Sequence, residues 1–118
     1  MRNTDTPDKK FQKELNAGVA ALILLSVLNR TTEAMYGYQI AKLIKEEAST
    51  IKQGTLYPVL RTLESSGLLE SEVEPSISGP PRRYYRITED GRDTLARRLR
   101  IWQQTKALVD SVADGGVS

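Results

Sequence analysis

The sequence predicts a mainly α-helical domain carrying a small β-hairpin, and three observations predict it. Apolar residues recur at helical spacing in three segments ahead of Gly67, two stretches between residues 68 and 88 alternate with a period of two, and an amphipathic segment with a capping threonine closes the chain. A chain of 118 residues, 39% of them hydrophobic, is enough for one domain with one modest core. Self-association is expected, because a domain this small leaves much of its surface to be covered.

Residues 9–28 read as the first helix, with Phe11, Leu15, Val19, Leu22, Ile23 and Leu25 for burial. From Ala17 onward it is apolar nearly all round, so more than one surface must cover it, a second chain included. Asn29, Thr31 and Thr32 break the pattern and offer N-cap oxygens. The second helix covers residues 36–47, burying Tyr36, Ile40, Leu43 and Ile44 and leaving Tyr38, Lys42 and Lys45 outside. Gly37, near its start, permits close approach of another group. The third helix runs over residues 54–66 on the stripe Leu56, Val59, Leu60 and Leu63. Pro58 suits a helix start: with Thr55 as N-cap it takes the third helical position, and with an earlier start it frees one carbonyl and bends the first turn. Gly67 then supplies a C′ stop.

Residues 68–74 and 83–88 alternate, with Leu69, Ser71 and Val73 on one face of the first stretch and Tyr85 and Ile87 on one face of the second. The intervening PSISGPP is turn and loop chemistry, so a two-stranded antiparallel hairpin with a mobile tip is expected. Such a hairpin must lean on the helices to be stable. Thr88 caps the fourth helix, Glu89 and Asp90 sit in its first turn, and it reaches about Ala113. Leu95, Leu99, Trp102, Val109 and Ala113 form one seam along it, with Lys106 filling the position between Trp102 and Val109. The expected organisation is a disordered tail over residues 1–8, a compact unit over 9–88, a helix over 89–113 and a flexible tail over 114–118.

Composition excludes several kinds of chemistry. The chain has no cysteine and no histidine, which removes disulfides, thiol nucleophiles, imidazole bases and the usual zinc ligands together. No enzyme, catalytic residue, cofactor or metal is expected. The apolar run over residues 17–28 is shorter than the roughly 20 residues of a membrane span, and MRNTDTPDKK lacks the apolar region of a signal peptide. A cytoplasmic protein without a membrane partner is therefore expected. The net charge of +2 decides nothing, but its distribution does more: residues 82–100 hold seven arginines against Glu89, Asp90 and Asp93. A patch of this kind is a phosphate footprint or an ordinary solvated face.

The order helix, helix, helix, strand, strand, helix is that of a winged helix-turn-helix followed by a C-terminal dimerisation helix. In that arrangement the second helix of the pair lies in the DNA major groove. A recognition helix must present polar and aromatic side chains outward, and its N-terminus brings free amides to a phosphate. YGYQI (36–40), GTLYPVLRTLESSGLL (54–69) and RRYYRITEDGR (82–92) resemble the signature segments of the PadR family of bacterial transcriptional regulators, in the right order and covering residues 11–112. The single C-terminal helix is similar to the small subfamily that includes multidrug-binding repressors. The resemblance implies a homodimer built on the C-terminal helix and the partner's N-terminal helix, repression through an inverted-repeat operator in double-stranded DNA, and release by a small aromatic effector.

Tyr57 and Arg61, one turn apart, are candidates for the groove; a Tyr–Arg stack on a solvated helix is the plainer alternative. Gly54 and Thr55 open the helix and face phosphate. Lys52 and Gln53 precede them, and Gln suits adenine edges. Tyr38, Gln39 and Lys42 would touch the DNA backbone, with Lys42 equally an ordinary surface lysine. Arg82 and Arg83 stand at the base of the wing, as contacts to a minor groove or phosphate or as charge that protects a strand edge. Arg97, Arg98 and Arg100 read as solvated helix. For an effector the resemblance points to Trp102, which lines a pore across the dimer axis in drug-binding relatives and packs the dimer in others. Leu15, Val19, Leu99 and Lys106 are the candidates around it. Lys106 replaces the acidic residue of the multidrug-binding relatives, which argues against a preference for cationic drugs. Two rival functions are a winged-helix module that binds protein and a small-molecule sensor without DNA binding; Tyr57, Arg61 and the wing arginines argue against the second.

Overall fold

The computed structural model describes residues 7–47 and 53–115. Along the chain lie α1 (Pro7–Asn29), β1 (Met35–Tyr36), α2 (Gly37–Glu47), α3 (Gln53–Ser65), β2 (Leu69–Ser76), β3 (Gly79–Ile87) and α4 (Glu89–Ala113). Helix α1 starts two residues ahead of the expected boundary. The sheet has three strands, all antiparallel, in the order β1-β3-β2. The expected pair of strands is present, and β1 was missed: Met35 and Tyr36 pair with Tyr85 and Tyr84. Tyr36 is therefore a strand residue and not the first buried position of a helix. Two residues are too few for alternation to show.

The hairpin is also longer than expected. Most of PSISGPP is strand, and only Ile77 and Ser78 make the turn. The register slips between Glu74 and Ser76, so Pro80 and Pro81 lie at an irregularity where a missing amide breaks no regular ladder.

The core gathers Leu24, Leu25, Val27 and Leu28 from α1, Ile40 and Ile44 from α2, and Leu56, Leu60 and Leu63 from α3. Leu68, Leu69, Tyr85, Ile87 and Leu95 complete it. By length and composition α1 would reach across a membrane, which the shorter run over 17–28 did not suggest; here its C-terminal half is the centre of the core. Its N-terminal half runs out beside α4, leaving Phe11 and Leu15, both expected to be buried, 62% and 41% exposed in the single chain.

Two junctions fix the end of α3 and the start of α4. Helix α3 ends in a Schellman motif: Gly67, at φ +79, donates to the Glu64 carbonyl and Leu68 to that of Leu63, each at 3.0 Å. The Thr88 hydroxyl caps α4 by accepting from the Gly91 amide at 2.9 Å, and it donates to the Gly67 carbonyl at 2.8 Å. The end of α3, the start of the hairpin and the start of α4 are thus one knot. Gly91 has no room for a side chain there, since a Cβ would collide with the Leu68 carbonyl oxygen and Ile87.

Thr31, offered as an N-cap, instead accepts from the Glu33 amide in a local turn. The start of α2 is held by Gln39, whose Oε1 accepts from the Tyr36 amide at 3.1 Å, one half of a capping box.

Candidate nucleic-acid interface

The opening of α3 resolves the question raised by its proline. The helix begins at Gln53, so Thr55 is inside it and Pro58 is its sixth residue. Pro58 cannot donate to the Gly54 carbonyl, but both residues are exposed, where water replaces the lost bond. With Leu56, Leu60 and Leu63 buried, helical spacing puts Gly54, Pro58, Arg61 and Ser65 on the opposite, outermost row. Thr55 and Thr62 flank that row on one side, Tyr57 and Glu64 on the other.

That second flank faces the sheet and the start of α2. The Tyr57 ring lies against Gly37, where a Cβ would come within 2.5 Å of its Cε1. The ring is 37% exposed, so Tyr57 both packs the two helices together and shows an edge to solvent. Glu64 accepts a short hydrogen bond from the Ser71 hydroxyl of β2, and Ser71 in turn accepts from the Arg83 guanidinium of β3 at 2.8 Å. A polar chain therefore fastens the hairpin to α3. Tyr85 sits beneath it. Burial, reinforced by the Glu64 carboxylate, pushes its phenol pKa up from the ordinary value.

Alternation sorts β3 into two faces. Arg83, Tyr85 and Ile87 point toward the core side, Arg82, Tyr84 and Arg86 away from it. On the outer face Tyr84 is paired with Tyr36, and the two rings meet edge-on with centroids 5.3 Å apart. Tyr38, 60% exposed, lies nearly parallel to Tyr36 at 6.4 Å. The Arg82 guanidinium sits over the Tyr36 ring, 4.6 Å from its centroid. Tyr36 and Tyr84 were not among the residues expected at the site, although the alternation that buries Tyr85 already placed Tyr84 beside Arg82. The role of Tyr36 required the register of β1.

Of the remaining candidates, Lys42 is exposed on α2, and the Gln39 side chain is engaged in the cap. Lys52 lies outside the described residues, and of Gln53 only the helical backbone is described. The contact of Tyr57 with Gly37 joins the outer row of α3 to the start of α2, where Tyr38 and Gln39 lie, and Arg82 joins them over the neighbouring Tyr36 ring. Arg83 lies on the other face of β3, tied to Glu64 of α3 through Ser71.

A second feature lies at the other side of the molecule. Between α1 and α4 runs an open groove of about 480 Å³, lined by Leu15, Val19, Leu22, Ile101 and Trp102, with Glu14, Arg98 and Thr105 among its polar residues. Leu15, Val19 and Trp102 come together as expected. Leu99 does not line it and packs at the edge of the core. Lys106 turns to Asp110, 2.9 Å away, in an exposed pair. Arg98, read as plain surface, borders this groove and also a smaller one against α3. No group of three or more potential metal ligands is found among the described residues.

The profile of the transcriptional regulator PadR-like family matches residues 24–97. The chain is 32% identical over 85 residues to the transcriptional regulator Rv3488 of Mycobacterium tuberculosis, covering 71% of this chain and 78% of that protein. It is similar in structure to a PadR family transcriptional regulator from Eggerthella lenta, at 35% identity and a TM-score of 0.72, covering 92% of this chain and 91% of the other. A PadR family transcription regulator from Clostridium difficile gives 30% identity and a TM-score of 0.70, covering 80% and 98%.

Proposed function

Because the chain belongs to the PadR-like family of transcriptional regulators, we propose that it is a homodimeric repressor that binds an inverted-repeat operator. The observation that carries this reading is the surface formed by the outer row of α3, Tyr57 against Gly37, and Arg82 over Tyr36 at the base of the wing. Helix α3 enters the major groove with Gly54, Thr55, Tyr57 and Arg61 leading. Tyr38 and Lys42 reach the sugar–phosphate backbone from α2, and the wing reaches the flank.

The second copy packs along α1 and α4. Phe11, Ile101, Leu108, Val109 and Val112 are each at least 58% exposed in the single chain, a load of apolar surface that a soluble monomer rarely shows in one strip. In the dimer the groove containing Trp102 closes against its symmetry mate and accepts a planar apolar effector. The regulator works in the cytoplasm, beside the chromosome.

Binding of the chain to the DNA upstream of its own gene tests the reading. Arg61→Ala should weaken binding by about 1–3 kcal/mol if it contacts a base edge and should relax sequence preference. Operator affinity unchanged in both Arg61→Ala and Tyr57→Ala would remove α3 from the major groove.

A further inference from the structure

The two adjacent arginines at the base of the wing, alike in the sequence, have opposite surroundings. Arg83 points toward the core side and its guanidinium donates to Ser71, which is bonded to Glu64 of α3. Arg82 points to the outer face. Its partner across the ladder is Glu74, yet it makes no ion pair or hydrogen bond among the described residues and lies over Tyr36 instead. A guanidinium held over a ring by cation–π attraction still has N–H donors to offer outward. Among the described residues no ion pair engages the guanidinium and the ring seats it, which leaves its donors available to a phosphate.

We infer that Arg82 is the phosphate-gripping residue of the wing, that Tyr36 is its positioning residue, and that Arg83 serves as an internal brace between wing and recognition helix. The inference rests on the DNA-binding reading and goes past it by assigning different work to each arginine. Tyr84 buttresses the Tyr36 ring edge-on. Tyr36 directly precedes Gly37, the seat of Tyr57, so the platform and the recognition helix are held in one frame. The stack contributes by holding the guanidinium ready, which saves side-chain entropy when DNA binds.

Fluorescence anisotropy of a labelled duplex carrying the upstream DNA, titrated across sodium chloride concentrations, tests this. Arg82→Ala should lower the slope of log K against log salt by about one and weaken binding about tenfold on all sequences. Arg83→Ala should keep the full slope. Tyr36→Phe should behave as the parent, whereas Tyr36→Leu should weaken binding, and combining it with Arg82→Ala should add nothing further. Because Tyr36 also pairs within the sheet, Arg82→Lys gives a reading on an intact platform: the slope stays, and affinity falls several-fold as the guanidinium and its several donors are lost. Loss of slope in Arg83→Ala with none in Arg82→Ala would overturn the assignment, as would additivity of Tyr36→Leu and Arg82→Ala or parental affinity in Arg82→Lys. If the parent chain itself shows no salt-dependent binding, the DNA-binding reading fails; if it binds and Arg82→Ala binds equally well, only the present inference fails.

Discussion

The two ends of α4 belong to different kinds of structure. In its first turns Gly91, Thr94 and Leu95 are buried, Thr88 caps the backbone, and the Leu68 carbonyl is packed against Gly91. From residue 100 to 115 every side chain is exposed, and the apolar ones still recur at 101, 108 and 112 and at 102 and 109. One end is finished within a single chain. The other keeps a heptad-like seam that α1 only borders at Ile101 and Trp102, a pattern that makes sense when a second helix supplies the missing face. In the proposed homodimer, folding of the winged unit and assembly thus fall to separate halves of one helix, and substitutions should separate them.

Gly91→Ala attacks the finished end. The methyl must displace a backbone oxygen that is itself bonded to the Thr88 amide at 3.1 Å, so relief by side-chain rotation is not available. Overpacking of this kind costs about 1–3 kcal/mol and sometimes more, and the expected result is a lowered denaturation midpoint with the wing detached from the helix end. A midpoint equal to the parent's would show that the junction is looser than described. Val109→Asp attacks the other end. It should raise the dissociation constant of the dimer by about ten- to a hundredfold, roughly 1.4–2.8 kcal/mol, visible by sedimentation at micromolar concentration. The core signature in circular dichroism should persist. If the variant sediments as the parent does, this seam is not the interface.

The smallest effect belongs to Tyr85. Its phenol is raised above its ordinary value of 10.0, first by burial and then by Glu64. The folded state thus disfavours the phenolate, so this contribution to stability is fully present below about pH 10 and is lost as pH rises through the raised value. Denaturant titrations at about pH 8 and about pH 10.5 should show the parent losing more stability than Tyr85→Phe. Equal losses in both chains would mean that the phenol is as well solvated as in the unfolded chain.

Much of this arrangement was legible in the sequence, for reasons that are local. Thr88 with two acids after it, Gly67 after a leucine stripe, and the alternation of Tyr85 with Ile87 each express a rule acting within a few residues. What escaped was non-local. Met35 and Tyr36 become a strand only because β3 is there to pair with them. Gln39 caps α2 from inside it, where Thr31 and Thr32 offered the more obvious oxygens. Phe11 and Leu15 followed the helical stripe, yet the domain ends before it reaches them. The split between Arg82 and Arg83 lay halfway: period two separates their faces, but only the register identifies Ser71 and Tyr36 as their neighbours.

The hairpin begins and ends at a single point. Leu69 pairs with Ile87, and Thr88 donates to the Leu68 carbonyl while its hydroxyl holds Gly67. Everything between is a detour that returns to its origin, so the domain does not register how long the detour is. Two residues added to each strand near the Ile77–Ser78 turn would carry the tip outward by about 6.6 Å while keeping every existing face in place, and closing the longer excursion adds only a few tenths of a kcal/mol. In the proposed complex, reach along the duplex is therefore a dimension in which this scaffold can vary without being rebuilt.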